Sequence, residues 1–336
     1  MTASQRGGTV KSFILFLVSL FVLAVSALAV GGYFAWREAS RPGPLASEAV
    51  VLLKPGASVR AMGRLLGDAG AVRYPDLFVA AVRLKGAQSK LKAGEYAIPA
   101  NASVLDIIDI LIDGKSILHY LTAPEGLTSA QILKVVAANE VLLGDITIDP
   151  PEGELLPETY AFTRGETRDE MIRDMMKAQD AVIDELWPQR AMELPFAAPE
   201  DAIILASIVE KETGIAEERP RIAAVFVNRL KKRMRLQSDP TVIYGISGGK
   251  PLGRGLRVSE LERETPYNTY KIYGLPPTPI ANPGRASIEA VLNPADTNDL
   301  YFVADGSGGH VFSSTLAEHN RNVIKWRRIE KEKKEG

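Results

Sequence analysis

Val50–Gly70, which reads VVLLKPGASVRAMGRLLGDAG, decides the fold class predicted for this chain. An apolar run is followed by the turn Pro55-Gly56 and then by Ser58, where an amphipathic pattern begins. A serine in that position accepts a hydrogen bond from a free N–H group of the first helical turn. The stretch therefore predicts a strand, a turn and a capped helix, which indicates a mixed α+β architecture.

Two further stretches repeat this plan in degraded form. Glu95–Lys115 reads EYAIPANASVLDIIDILIDGK, and Ser103 is its predicted cap. Ile117–Asn139 reads ILHYLTAPEGLTSAQILKVVAAN, and its predicted cap is Thr128 or Ser129. These units resemble LysM-type glycan-binding modules, which share an opening strand, a glycine-containing turn and a capped helix. A small α+β domain that only spaces or packs the chain is the alternative.

An uncharged segment near the amino terminus predicts a membrane-spanning helix. Ser12–Trp36 reads SFILFLVSLFVLAVSALAVGGYFAW, which is long enough to cross about 30 Å of hydrocarbon. Tyr33 and Trp36 suit a membrane–water interface, and the short basic tail before the segment favours the cytoplasm. A cleaved signal peptide ending at Ala27–Ala29 is the alternative, but its apolar region would ordinarily be about 7–15 residues long. We therefore predict an anchor in the inner membrane and a catalytic domain in the periplasm.

The predicted organisation is an α+β chain with a single N-terminal transmembrane helix, a small LysM-like α+β module and then an α+β catalytic domain. The predicted boundaries are 1–12 for a cytoplasmic tail, 13–36 for the transmembrane helix, 37–48 for a linker, 49–116 for the LysM-like module and 117–336 for the catalytic domain. In the last region we predict helices at Thr167–Leu186, Glu200–Thr213 and Arg219–Met234, strands at Thr241–Tyr244 and Leu300–Ala304, and a short helix capped by Ser287.

Composition excludes several classes of site. The formal net charge of −1 gives no overall attraction to nucleic acid, so we predict no nucleic-acid partner. Cysteine is absent, so the chain has no disulfide framework and no thiolate nucleophile. The three histidines form no H-E-x-x-H motif. We therefore predict neither a metal site nor another cofactor.

The stretch ILASIVEKETG, Ile204–Gly214, is the best candidate for the seat of a general acid. A mostly apolar helix presents Glu210, Lys211 and Glu212 near its end. A carboxyl group held against isoleucine and valine side chains loses hydration, which disfavours its charged form and suits a proton donor. A frayed helix end with solvated charges is the alternative. Because the helix is apolar on nearly all sides, spacing alone does not choose between the two glutamates.

Three turn-rich clusters mix amide, carboxylate and tyrosine side chains. They are GELLPETYAF at Gly153–Phe162, RLQSDPTVIYG at Arg235–Gly245 and TPYNTYKIYGLPPTPIANPG at Thr265–Gly284. Sugar sites use this mixture because amides and carboxylates bond hydroxyl groups while aromatic faces cover C–H patches. Proline-stiffened loops without a ligand are the alternative.

Taken in order, these strings resemble the endolytic murein transglycosylase family, also called YceG-like. The match runs from Pro124 to Asn322 and includes EGLTSAQI, LPETYAF, LASIVEKETG, RIAAVFVNRL, MRLQSDPTVIYG, PYNTY, GLPPTPIANPG and YFVADGSGGHVF. The resemblance implies cleavage of the MurNAc–GlcNAc bond within peptidoglycan glycan strands, which leaves 1,6-anhydro-MurNAc ends and terminates strand elongation. It also implies glycan strands, the inner membrane and cell-wall synthases as partners.

The resemblance assigns the catalytic acid to Glu210. The substrate-binding residues predicted from the same strings are Glu158, Asn228, Gln237, Tyr244, Asn268 and Tyr270. One alternative is a hydrolytic muramidase that pairs Glu210 with Glu154, Glu158 or Asp239, since ordinary glycosidases use two carboxyl groups. The other is a non-catalytic, membrane-anchored scaffold that binds peptidoglycan.

Overall fold

A computed structural model describes residues 6–335 and confirms an α+β chain with one apolar helix near its amino terminus. Residues 1–5 of the predicted cytoplasmic tail lie outside the described part. The helices are α1 Arg6–Ala39, α2 Val59–Asp68, α3 Pro75–Leu84, α4 Val104–Asp113, α5 Ser129–Ala138, α6 Arg168–Leu186, α7 Pro199–Glu212, α8 Arg219–Lys231, α9 Asp239–Ser247, α10 Val258–Glu262, α11 Arg285–Leu292 and α12 Leu316–Glu335. The strands are β1 Ala49–Leu53, β2 Gly94–Ile98, β3 Leu118–Thr122, β4 Thr159–Thr163, β5 Tyr301–Ala304 and β6 His310–Ser313, which pair as β1–β2, β3–β4 and β5–β6.

The chain divides into two compact units. The first, unit 1, takes the chain up to His119 together with Thr163–Gly165, and the second, unit 2, takes the rest. In unit 1 the antiparallel pair β1–β2 packs against α2, α3 and α4. Ser58 and Ser103 cap α2 and α4 as predicted, because each hydroxyl accepts a hydrogen bond from the third residue of its helix.

Helix α1 continues past the predicted end of the transmembrane segment at residue 36. Its apolar span is Ile14–Ala39, with a mean hydropathy of 2.7, and Ala39 is only 2% exposed because it packs into the core of unit 1. In the segment predicted as a linker, the N–H of Gly43 donates to the carbonyl of Asn101 at 3.0 Å, and the N–H of Asn101 donates to the carbonyl of Leu45 at 3.0 Å. These bonds hold the segment against unit 1.

Unit 2 is built around α7, whose apolar residues pack against α8 and α11. Two predictions for this unit are wrong. Thr241–Tyr244, predicted as a strand, lies in α9, because Asp239 and Pro240 start a helix there. A run of four apolar or β-branched residues is too short for its periodicity to distinguish a strand from a helix. Ser287, predicted as a cap, lies inside α11, and Gly284 occupies the position before the helix.

The side chain of Asn282 connects three segments of unit 2. Its Oδ1 accepts hydrogen bonds from the N–H groups of Gly153 and Leu155, at 3.1 and 2.9 Å. Its Nδ2 donates to the carbonyl of Leu127 at 3.1 Å and to Oε1 of Glu152 at 3.2 Å. Asn282 is fully buried, so water cannot replace these partners.

We predict that Asn282→Ala strongly destabilises the protein. The substitution leaves the buried N–H groups of Gly153 and Leu155 without an acceptor, and each orphaned group costs about 1–3 kcal/mol. Urea unfolding of the detergent-solubilised chain measures the change, with the exposed Asn320→Ala as the matched control. A loss of free energy of unfolding below about 0.5 kcal/mol, the range of ordinary surface substitutions, would contradict the role given to this amide.

Candidate active site

Helix α7 carries two glutamates to different sides of its last turn. The helix begins at Pro199, which suits the first helical position because proline lacks an N–H group to leave unpaired. It is buried from Ala202 to Val209 and ends where Thr213 turns to an extended conformation. Residues two apart on a helix do not face each other. Glu210 and Glu212 therefore meet different surroundings.

The carboxylate of Glu210 lies in a nearly closed position. Its side chain is only 5% exposed. Its Oε2 accepts a hydrogen bond from the backbone N–H of Gly284 at 3.0 Å, and its Oε1 lies 3.7 Å from Nη2 of Arg219, at the start of α8. A backbone donor and a guanidinium thus both face this carboxylate.

Glu125 provides a second carboxyl group at the same guanidinium. Nη2 of Arg219 donates to Oε2 of Glu125 at 3.1 Å, and the Glu125 side chain remains 44% exposed. Burial raises the pKa of the Glu125 carboxyl; the neighbouring charge of Glu210 raises it further, whereas Arg219 lowers it. The site therefore combines one shielded carboxyl, one open carboxyl and a cation between them.

Two glycines, Gly284 and Gly126, allow the backbone to pass close to the carboxyl groups of Glu125 and Glu210. A Cβ atom on Gly284 would lie 2.0 Å from Oε1 of Glu125, so any larger residue would displace that carboxylate. Gly126 follows Glu125 in the left-handed region, at a φ of 71°, where glycine is favoured. Its carbonyl accepts a hydrogen bond from Nζ of Lys211 at 3.0 Å, which fastens the turn carrying Glu125 to α7.

Glu212 belongs to a separate polar cavity of about 430 Å³. The hydroxyl of Ser238 donates to Oε1 of Glu212 at 2.5 Å. Burial raises the pKa of Glu212 to about 7, although the bond from Ser238 acts in the opposite direction. Glu212 therefore has a raised proton affinity.

Two of the predicted substrate-binding residues line the Glu212 cavity. Tyr270 donates its hydroxyl proton to Oδ1 of Asp239 at 2.7 Å, and Oε1 of Gln237 lies 3.4 Å from Nη1 of Arg229. Burial raises the pKa of the Tyr270 hydroxyl. Gln237 and Tyr270 thus accompany Glu212 rather than Glu210.

Among the predicted substrate-binding residues, Glu158 lies near Glu125 and therefore on the side of Glu210. It is exposed, and its charge is among those that raise the pKa of Glu125. The hydroxyl of Tyr244 donates to Oε2 of Glu152 at 3.2 Å, and Glu152 in turn accepts a hydrogen bond from Nδ2 of Asn282. Burial raises the pKa of Tyr244 to about 12.

The two predicted asparagines hold loops. Nδ2 of Asn228 donates to the carbonyl of Thr297 at 2.8 Å. Asn268 is fully buried, and its Nδ2 donates to the carbonyls of Leu261 and Arg263 at 3.0 and 2.6 Å. The Nδ2 groups of both asparagines are occupied within the protein, and substrate binding by these residues stays a prediction.

Sequence reasoning missed Glu125 and Arg219. Glu125 lies 94 residues from Arg219, and Gly284 lies 74 residues from Glu210, so no local spacing could reveal the cluster. The available signal was weaker: Glu125 and Gly126 lie in the string EGLTSAQI, and Arg219 follows LASIVEKETG closely.

We predict that the stability of the protein falls as the pH rises from about 4.5 to about 7. In this window folded Glu212 still holds its proton while the unfolded chain has lost it, so its stabilising contribution is complete at low pH and disappears through pH 7. The full change amounts to about 3 kcal/mol. Glu212→Gln cannot titrate and should flatten this part of the curve. Urea unfolding across the window tests this; a curve for Glu212→Gln that parallels the wild type and the control Glu154→Gln would contradict it.

Comparison with known proteins gives a consistent result. The YceG-like family model matches residues 51–325. A Bacillus subtilis (strain 168) protein named endolytic murein transglycosylase is 33% identical over 304 residues, which cover 81% of this chain and 82% of that protein. One of the same name from Streptococcus pneumoniae (strain D39) is 28% identical, over 94% of this chain and 65% of its own length.

A solved structure agrees with these matches. The crystal structure of a YceG-like protein from Listeria monocytogenes is 32% identical, with a TM-score of 0.50, and the match covers 82% of this chain and 98% of that one. The resemblance found in the sequence strings is therefore confirmed, and the chain belongs to the YceG-like family.

Proposed function

We propose that this chain is an endolytic lytic transglycosylase that cleaves the MurNAc–GlcNAc bond within peptidoglycan glycan strands. The observation that carries the proposal is the shielded carboxyl of Glu210, held by the N–H of Gly284 at the end of α7. The names of the Bacillus subtilis and Streptococcus pneumoniae relatives support the same activity.

In this mechanism Glu210 acts first as an acid and then as a base. Its proton passes to the bridging oxygen as the glycosidic bond breaks with oxocarbenium character. The carboxylate then takes the proton of the muramyl C6 hydroxyl, whose oxygen bonds to C1 and closes the 1,6-anhydro ring. The proton lost in the first step is regained in the second, so no water and no cofactor is consumed. The N–H of Gly284 stabilises the carboxylate between the steps.

Glu125 assists by forming an ion pair with the guanidinium of Arg219. A cation bonded directly to Glu210 would favour its ionised form, which cannot donate a proton. Nη2 of Arg219 lies nearer to Glu125, at 3.1 Å, than to Glu210, at 3.7 Å. Glu125 thus compensates part of the guanidinium charge beside Glu210.

A hydrolytic muramidase is the second candidate, and the nearness of Glu125 favours it. Two carboxyl groups beside one scissile bond are what ordinary glycosidases use. Glu154 lines a different cavity and Asp239 lies beside Glu212, so the partner of Glu210 would be Glu125, or Glu158 as considered from the sequence. A muramidase leaves reducing ends, whereas a transglycosylase leaves anhydro ends.

We predict that Glu210→Gln abolishes release of anhydromuropeptides from purified sacculi. Glutamine keeps the size and the acceptor oxygen of the side chain but removes the transferable proton, and general acid–base catalysis contributes about 10²–10⁴-fold. Glu212→Gln is the matched control, two residues away on the same helix, and should keep substantial activity. Mass spectrometry of the digest measures both the amount and the kind of end.

Each of the other outcomes of this experiment would show that a different part of the proposal is wrong. Loss of activity in the Glu212 variant with retention in the Glu210 variant would move the acid to the Glu212 cavity. Reducing ends in the wild-type digest would establish the muramidase. A wild-type chain without activity on sacculi would favour the scaffold.

We further propose that residues 49–116 form a LysM-like module that binds glycan, with residues 117–336 as the catalytic domain. The order β1–α2–α3–β2, with its two strands antiparallel, supports this interpretation. Deletion of 49–116 should weaken co-sedimentation with sacculi several-fold while sparing cleavage of short soluble strands. Equal losses in both assays would indicate a packing role instead.

For location, the proposal is a single-pass protein of the inner membrane, anchored by α1, with the catalytic domain in the periplasm. The apolar span Ile14–Ala39 and the interfacial residues Tyr33 and Trp36 support it. In this position the enzyme meets newly made strands beside cell-wall synthases, where cutting ends strand elongation.

A further inference from the structure

Helix α3 of unit 1 is apolar on two sides. Phe78 and Val82 are fully buried and face the core of the unit. Leu77, which is half-buried at the edge of the core, and the exposed Ala80 and Leu84 recur every three to four residues, which makes a second apolar stripe. Leu84 is 83% exposed. A surface helix ordinarily carries a polar face there, so this second stripe needs an explanation beyond the packing of the core.

The second stripe of α3 forms one wall of an apolar groove, and the last turns of α1 form the other. The groove has a volume of about 340 Å³. Trp36 and Ala39 contribute from α1, Leu77 and Leu84 contribute from α3, and Lys85 lies at its edge. Lys85 forms an ion pair with Asp109, so it adds little net charge to the groove.

The position of the groove along α1 indicates what surrounds it. The apolar span of 26 residues is about 39 Å long, which exceeds the hydrocarbon thickness of about 30 Å. With Trp36 at the membrane–water boundary, the groove lies where lipid acyl chains meet their headgroups. Its apolar lining matches an acyl chain and offers few partners to a headgroup.

We propose that this groove holds an acyl chain of a bilayer phospholipid, so that α3 of unit 1 lies on the membrane surface. The inference rests on the proposed anchoring by α1 but not on the catalytic role of Glu210. Its support is the continuity of the groove with the membrane-spanning helix, since lipid surrounds the end of α1 wherever the helix spans a bilayer. The exposed side chain of Leu84 is then in contact with lipid instead of water.

Because the chain contains no cysteine, one introduced thiol can report on this surface. The full-length Leu84→Cys protein, labelled with an environment-sensitive fluorophore, is reconstituted into vesicles of phosphatidylethanolamine and phosphatidylglycerol. Quenching is measured with phospholipids that carry a nitroxide on the acyl chain close to the headgroup. Val50→Cys is the matched control, because Val50 is also an exposed apolar residue of unit 1, at 57%, but lies on β1 outside the groove.

We expect a blue-shifted emission at Leu84 and several-fold stronger quenching there than at Val50. An aqueous emission without quenching at Leu84 would overturn the proposal. Shielding of Leu84 in native membranes but not in pure vesicles would overturn it as well, in favour of a membrane-protein partner. Extraction of the protein from the vesicles by alkaline carbonate would instead show that α1 is not an anchor, which separates the two failures.

Discussion

The buried amide of Asn282 is the constraint on which the rest of unit 2 depends. It joins the segment that carries Glu125 to the segment that carries Glu152. Its own carbonyl accepts a hydrogen bond from the N–H of Gly126, and two residues later the N–H of Gly284 reaches Glu210. The carboxyl groups of Glu125 and Glu210 therefore meet because one side chain holds loops that are far apart in the sequence.

Features that depend on neighbouring residues could be predicted from the sequence. The caps of α2, α4 and α5 were readable because a hydroxyl residue bonds an N–H group only three positions ahead. The long apolar helix α1 was readable from its length and lack of charge. The short run Thr241–Tyr244 was not, because four residues cannot distinguish a strand from a helix. The pairing of Arg219 with Glu125 was beyond reach, since it depends on tertiary contacts across unit 2.

The two glutamates at the end of α7 meet different surroundings. A carboxyl group that loses hydration against apolar side chains is favoured in its neutral form, and that description fits Glu212, whose pKa burial raises to about 7. Glu210 is instead surrounded by groups that a reaction can use: a backbone donor, a guanidinium and a second carboxyl. The catalytic role of Glu210 is our proposal, and membership of the YceG-like family and these local contacts support it.

The burial of Ala39 in the core of unit 1 has a mechanical consequence. A flexible tether would let an anchored domain explore a hemisphere whose radius grows with the square root of its length. Here α1 enters the folded unit as a continuous helix without a flexible linker. With α1 in a bilayer, as proposed, unit 1 would sample only a thin layer parallel to the membrane, and its effective concentration toward any polymer in that layer would be high. A polymer segment a few nanometres farther from the bilayer would have to diffuse to unit 1, because unit 1 would not reach it.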